Sequence, residues 1–454
     1  MEAATARAPR PAAARPPAAP AGSRARAGAL AALGVLAVVY VGLAVLFAAD
    51  GSRVVLATAG GSPGWLLGPF RGLGAGFADG KLSGPLFYLG LWLATAAYVA
   101  VLVLARSIGT RLALAAVAAF HLLFLLAPPL LSQDVFSYIA YARLDVLHSL
   151  NPYTHSPDAV PTDAVFGFAG SKDATSAYGP LFTLSTLPLA KLGVPGAFWV
   201  LKLAVTAASL GIVALTWACA RRLGTDPVFA ALAVGLNPLV LVHVVGGAHN
   251  DAFVMVLVMG AVLGVLSAQP AAGGALEAAG TAVKASGAIA APFMLIGVRD
   301  RRRFLAAGAV TVAVAAIAAL PFFGWRALKA FVLIGQNQDR TTKWSVPQKL
   351  ADGIGSLTGG NPDTIVHFTR GVLAAGLAVA LVVLLRRAWQ DRDEPRAWVL
   401  GAGWATLFVL LATAWLVPWY AIWLLPFAAV ARCRRLMIAT VLLCAYMLVI
   451  AVPL

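Results

Sequence analysis

The stretch LSQDVFSYIAYARLDVLHSLNPYTHSPDAV, residues 131–160, opens where an apolar run closes: residues 112–131 read LALAAVAAFHLLFLLAPPLL, about the 20 residues a spanning helix requires. A carboxylate, Asp134, stands at the end of that run. Beyond it apolar residues recur at Phe136, Ile139, Ala140, Leu144, Leu147 and Leu150, a spacing that predicts an amphipathic helix from Val135 to Leu150 lying in the membrane interface. Asp134 in front of that helix is expected to cap its free N–H groups, and a capping carboxylate is held rigidly at the membrane surface.

The whole chain repeats this pattern of apolar run and polar loop. It is 61% hydrophobic, only 11% charged, with a mean hydropathy of +0.85, far from the roughly 25% charge of a soluble domain. The class is an all-α polytopic membrane protein. Its net charge of +16 does not point to nucleic acid, because Lys and Arg gather at the ends of apolar runs, where anionic headgroups and topology account for them. Cys219, Cys433 and Cys444 lie in or beside apolar runs without CxxC or Cys/His spacing, so neither a metal site nor a disulfide framework is expected.

Residues 1–27, rich in Pro, Ala and Arg, read as a disordered basic cytoplasmic tail rather than a cleaved signal peptide. Spans are expected at about 28–48, 85–105, 112–131, 197–219, 228–246, 252–268, 304–322, 368–386, 398–414, 417–431 and 436–453. A hairpin of two shorter pieces, 271–283 and 285–298, brings the count to about thirteen transmembrane segments. With these, Arg106/Arg111, Arg221/Arg222, Arg299 to Arg303, Arg386/Arg387 and Arg432 to Arg435 all share the tail's side, as the positive-inside rule asks. The same rule makes 178–193 a non-spanning or re-entrant piece. Three long loops, 49–84, 132–196 and 324–367, fall on the external face, and long loops are where function concentrates.

Of the eighteen acidic residues, only Asp134, Asp145 and Asp251 adjoin apolar segments, where an ionisable group is a functional candidate. Asp251 lies in GGAHNDAF (246–253), which also holds His249 and Asn250 and lacks the His-x-x-x-His spacing of zinc sites. Lys284, in TAVKASGAI (281–289), has no acidic neighbour in sequence nearer than Glu277 and is expected to snorkel to an interface or meet a lipid headgroup. The segment QNQDRTTKWSVPQK (336–349) sets Arg340 and Lys343 beside Trp344, a combination suited to a lipid phosphate or a sugar ring as much as to plain loop. AWLVPWYAIWLLP (414–426) places Trp415, Trp419, Tyr420 and Trp423 at one membrane edge, as an aromatic belt or as a stacking platform for a sugar.

Taken in order, DVFSYIAYAR (134–143), NPYTHSP (151–157), YGPL (178–181), AHND (248–251), VKASG (283–287) and PWYAIW (418–423) resemble the GT-C superfamily of polyprenol-phosphate-sugar-dependent glycosyltransferases. The closer resemblance is to the bacterial α-1,6-mannopyranosyltransferases that use polyprenol-phosphate-mannose. It implies a GT-C fold over residues 112–454, preceded by two additional helices over 28–111. It also implies an outward-facing site in which the acid ending a spanning segment, here Asp134, is the catalytic base. Relatives with Asp-x-Asp-like loops use a divalent metal; this chain lacks that pattern, so no metal or other cofactor is expected. Where a second acid is common, this chain has Tyr141.

The chemistry runs parallel to the resemblance. Outside the cytoplasm an activated sugar arrives on a lipid phosphate, a leaving group that needs cations, while the acceptor hydroxyl needs a base. Arg143, His249, Lys284, Arg340 and Lys343 are the candidate phosphate ligands. Tyr138, Tyr153, Tyr178, Asn250, Asp251, Trp344, Trp419, Tyr420 and Trp423 are the candidates for sugar or acceptor. One carboxylate without a paired nucleophile implies single displacement with inversion. The expected partners are polyprenol-phosphate-mannose, a mannose-containing glycan or glycolipid acceptor and membrane lipids. A secondary transporter or lipid-linked-sugar flippase is the rival reading; such proteins show internal repeats, and no convincing repeat is visible here.

Overall fold

The computed structural model describes residues 22–48, 63–73, 83–129, 131–328, 330 and 341–449. Most of the predicted basic tail, most of loop 49–84 and Arg340 lie outside the described residues. The α-helices of six residues or more among the described residues run in the order α1 Ser23–Phe47, α2 Ser83–Val103, α3 Thr110–Leu126, α4 Asp134–His148, α5 Pro180–Thr186, α6 Gly193–Arg222, α7 Pro227–Gly235 and α8 Asp251–Leu266. They continue as α9 Pro270–Val283, α10 Ala291–Gly297, α11 Arg301–Phe323, α12 Val346–Thr358, α13 Pro362–Gln390, α14 Pro395–Ala412, α15 Leu425–Val430 and α16 Arg434–Val449.

Among the described residues six helices are long and apolar enough to cross a membrane, or seven if one bent pair is a single span. The thirteen segments expected from the apolar runs exceed this because several runs fold into short helices. Thr110–Leu126, with 17 residues, is about 25 Å long at 1.5 Å per residue, less than a hydrocarbon core of about 30 Å. The run 417–431 is likewise divided, into a 3₁₀ turn Pro418–Trp423 and α15. The piece expected to be re-entrant, 178–193, is helical and runs directly into α6, with Gly193 at φ +68° marking the joint.

The run expected as one span at 228–246 is broken. Pro238 has no N–H to continue the ladder, and Asn237 Oδ1 instead accepts from the backbone N–H of Leu239 and Val240, at 2.9 and 3.3 Å. A second helical stretch starts there, Val240–Gly246, π-helical and bent 63° from α7. π-Helical turns are rare and gather at functional sites. This one leads straight into GAHND.

The first two helices pack into the same core as the rest. Tyr40 of α1 and Tyr98 of α2, both buried, donate to the carbonyls of Leu236 and Ala233 at 2.9 and 2.6 Å. Helix α3 is tied to α6 by polar groups that find partners inside the core: His121 meets Ser209 at 2.9 Å, and the ammonium of Lys202 donates to the Ala127 carbonyl beneath Phe198 and Trp199. By contrast α11 and α13 bury only 11% and 6% of their apolar windows, so their apolar surface is turned to the outside, as lipid-facing helices require.

Candidate active site

Helix α4 forms where its spacing predicts, but Asp134 is not its cap. Gln133 occupies the cap position, Asp134 is the first helical residue, and its side chain makes no capping bond. The carboxylate is left free for other contacts. Nor does α4 lie on the surface: every residue from Val135 to Ala142 is buried, because aromatic residues on several sides enclose it. Phe136 stacks on Phe198 with ring centroids 5.6 Å apart, and Tyr138 meets Tyr178 and Phe182 edge-on at 4.9 and 5.0 Å.

Asp134 opens into a cavity of about 490 Å³, within the size range of small-molecule sites. Its walls include Tyr141, Tyr178, Lys284, Trp415, Trp419, Tyr420 and Trp423. The Asp134 side chain is 31% exposed, so the carboxylate reaches the cavity without losing water altogether. Behind it His249, fully buried, places Nδ1 3.4 Å from Asp134 Oδ2, inside ion-pair range though off hydrogen-bond geometry. The imidazole lies flat on Trp419, centroids 3.6 Å apart at 17°.

The backbone that delivers His249 is strained. Ala248 sits at φ +54°, a left-handed conformation that costs a non-glycine residue on the order of 1 kcal/mol or more. Gly247 has no room for a side chain, since a Cβ there would stand 2.4 Å from the His243 carbonyl oxygen. Strain of this kind persists where the surroundings fix it; here the Asn250 N–H donates to the Tyr138 hydroxyl at 3.3 Å.

Asp251 and Lys284, 33 residues apart, meet. The ammonium donates to both carboxylate oxygens at 2.8 and 3.0 Å, and the indole N–H of Trp423 donates to Oδ1 at 2.7 Å. Asp251 is wholly buried, while Lys284 keeps 17% exposure toward the cavity, with its Nζ 4.7 Å from the Tyr420 ring centroid. The snorkelling expected of Lys284 is therefore replaced by a buried ion pair. Lys284 is placed by a close approach of backbones: α9 ends at Val283, whose carbonyl accepts from the Gly179 N–H at 3.0 Å. A Cβ on Gly179 would lie 2.1 Å from the Ala282 carbonyl oxygen, so only glycine lets YGPL dock beside VKASG.

Other candidates stand apart. Arg143 gives its guanidinium to Asp163 at 2.8 Å, where His148 also bonds at 2.7 Å, and it does not line the cavity. Partial burial pushes the Asp163 pKa up, but hydrogen bonds from Arg143, His148 and the Val165 N–H outweigh this and hold it below the usual carboxylate value. This trio ties α4 to the loop that follows it. Asp145 is also off the cavity, and burial raises its pKa. Tyr153 is a buried strut, bonding to the Tyr178 carbonyl and the Thr183 hydroxyl at 2.9 Å each. Lys343 rests 4.8 Å from the Trp344 ring centroid. Its neighbour Thr342 is pinned to the Ala414 carbonyl at 2.9 Å, next to Trp415 on the cavity wall, so this segment flanks the site without Lys343 or Trp344 entering it.

Tyr141, which stands where a second acid is common in the family the chain resembles, is a wall residue that was not among the candidate ligands. It follows Asp134 by seven residues, two helical turns, which puts both on one face of α4, and its hydroxyl donates to Ala174 at 2.9 Å. Among the described residues no three His, Cys, Asp or Glu side chains converge as a metal site would need.

Comparison with known sequences gives the family. The profile of the alpha-(1→6)-mannopyranosyltransferase N-terminal domain matches residues 39–300, and that of the MptB C-terminal domain matches residues 346–454. The chain belongs to the alpha-(1→6)-mannopyranosyltransferase family, a family of glycosyltransferases. It is similar to alpha-(1→6)-mannopyranosyltransferase A of Mycobacterium tuberculosis, 31% identical over 72% of this chain and 67% of the relative. It is also similar to a probable alpha-(1→6)-mannopyranosyltransferase of Mycolicibacterium smegmatis, 27% identical over 67% of this chain and 62% of the relative. Alpha-(1→6)-mannopyranosyltransferase B of Corynebacterium glutamicum is 26% identical over 68% and 57%. The matched regions thus span between 57% and 67% of the length of these three relatives. No solved structure matches the chain significantly. The N-terminal family match contains Asp134, Tyr141, Tyr178, His249, Asp251 and Lys284, and the C-terminal match contains Trp415, Trp419, Tyr420 and Trp423, so the cavity is built where the two matched regions meet.

Proposed function

We propose that the protein is an inverting mannosyltransferase of GT-C type that moves mannose from polyprenol-phosphate-mannose to a glycan or glycolipid hydroxyl on the outer face of the membrane, forming an α-1,6 linkage. Asp134 takes the proton of the acceptor hydroxyl as its oxygen attacks the anomeric carbon. The bond from that carbon to the phosphate oxygen breaks, and polyprenyl phosphate leaves with the bonding electrons. A positioned base of this kind contributes roughly 10²- to 10⁴-fold. Lys284, held by Asp251, faces the departing phosphate, and the indoles of Trp415 and Trp419, part-exposed on the cavity wall, offer apolar surface to the sugars.

The observation that carries this reading is the convergence on one cavity of a partly hydrated carboxylate, a fixed ammonium and an aromatic wall, drawn from segments as far apart as residues 134, 284 and 423. The face assignment rests on charge. Arg396, at the start of α14, donates to the Leu223 carbonyl at 2.6 Å, whereas Val409 and Thr413 at the other end line the cavity, roughly 20 Å further along the helix. Arg221, Arg222 and Arg396 therefore mark the end away from the cavity, which the positive-inside rule makes cytoplasmic.

Purified protein incubated with radiolabelled polyprenol-phosphate-mannose and a mannose-containing acceptor is expected to transfer label, and Asp134→Asn to lose at least a hundredfold in rate while staying folded. Full activity in that variant removes Asp134 from its role. A cysteine placed at Ser156 should react with an impermeant reagent in intact cells; protection there reverses the face.

A further inference from the structure

A second cavity, of about 730 Å³, lies between α2, the α6–α7 turn and α16. It sits at the end marked by Leu223, since Gly224, Thr225 and Asp226 line it. Three arginines, Arg106, Arg432 and Arg434, line it, brought together from segments more than 300 residues apart in sequence. None of the three has an ion-pair partner among the described residues. The one acid in the wall, Asp226, is occupied in capping α7, accepting from the Val228 and Phe229 N–H at 2.9 and 3.1 Å. Most of the remaining wall is apolar, and Val103 is 77% exposed and Leu442 64%, which contact with water would disfavour and a hydrocarbon chain would cover.

We propose that this cavity binds an anionic phospholipid, with its phosphate among Arg106, Arg432 and Arg434 and its acyl chains along Val103, Ile438 and Leu442. Guanidinium pairs phosphate oxygens in bidentate fashion, and basic pockets at the cytoplasmic ends of membrane helices suit anionic headgroups. The chain's own N-terminal segment is the wrong sign to fill it, carrying Arg7, Arg10 and Arg15 against Glu2. The site is separate from the Asp134 cavity and does not depend on what that cavity does. An occupant here bridges α2 and α16.

Cys433 lines the cavity and is half-exposed, whereas Cys219 and Cys444 are buried, so its alkylation by a neutral maleimide reports occupancy. In nanodiscs of the full-length protein, phosphatidylglycerol is expected to slow Cys433 alkylation at least tenfold relative to phosphatidylcholine of the same chains. Inorganic phosphate in phosphatidylcholine discs should leave the rate unchanged. Each arginine removed should weaken retention about fivefold and R106A/R432A/R434A on the order of a hundredfold, while R106K/R432K/R434K keeps part of the protection. Equal protection by phosphatidylcholine, protection by phosphate alone, or protection that survives the triple alanine variant would each overturn the proposal.

Discussion

Neutralising one partner of the Asp251–Lys284 pair tests the site's central contact. At 2.8 Å two unit charges attract by about 6 kcal/mol at an effective dielectric constant of about 20. Desolvating both ions consumes most of that, so the intact pair adds little net stability, while a widowed charge is left with the full penalty, about 3–5 kcal/mol. Lys284→Met strands the Asp251 carboxylate, wholly buried, with only the Trp423 N–H at 2.7 Å. Asp251→Asn strands an ammonium that keeps 17% exposure and the Tyr420 ring, so its loss falls at the lower end. The double variant has no charge left to strand and should be no less stable than K284M alone. Reversible unfolding in micelles, followed by tryptophan fluorescence, measures all three against wild type, and a coupling of about 3 kcal/mol is expected. If the double variant's loss equals the sum of the single losses, the two charges do not interact and the geometry derived for Lys284 is wrong. Transfer activity should fall in all three, but only the stability cycle distinguishes a lost ion pair from a lost phosphate ligand.

Gly179→Ala should cost about 2 kcal/mol or more, because the new Cβ is 2.1 Å from the Ala282 carbonyl oxygen and backbone on both sides must shift; an unchanged unfolding midpoint refutes the close approach. His249→Ala should slow transfer in the wild-type background and change nothing further in Asp134→Asn, since its one ion-pair contact among the described residues is to that carboxylate; additive losses would show it acting elsewhere. Asp163 gives a pH test. Its folded pKa is below the unfolded one, so its contribution is complete above the usual carboxylate value near 4 and is lost as pH falls through the folded value. Hydrogen exchange across residues 157–176 should therefore hold its protection from pH 7 to pH 5 and lose it only below about 4.

The apolar runs made the helices legible: α9 and α14 fall within a few residues of where those runs put them, and α4 of where periodicity does. The departures share one cause, which is that a run of apolar residues carries no information about contacts made across the fold. Nothing local to Lys284 announces a carboxylate 33 positions earlier, and a lysine in an apolar setting reads as a residue reaching for water. The pairing becomes necessary only once Gly179 lets the α5 entry dock on the end of α9 and the Trp423 indole closes the other side. Asn237–Pro238 was the readable exception: a residue that caps, followed by one that cannot donate, is a break signal in any helix, and composition averaged over the run concealed it. Asp134 shows the same limit in reverse. Its position at a helix start was legible and suggested capping, yet its side chain is turned from the helix toward His249 and the cavity. Capping stabilises a helix by consuming the carboxylate's lone pairs, and the base proposed above must keep one free. With the first two turns of α4 buried, from Val135 to Ala142, packing holds Asp134 in place, which removes the need for the cap that the sequence pattern suggested.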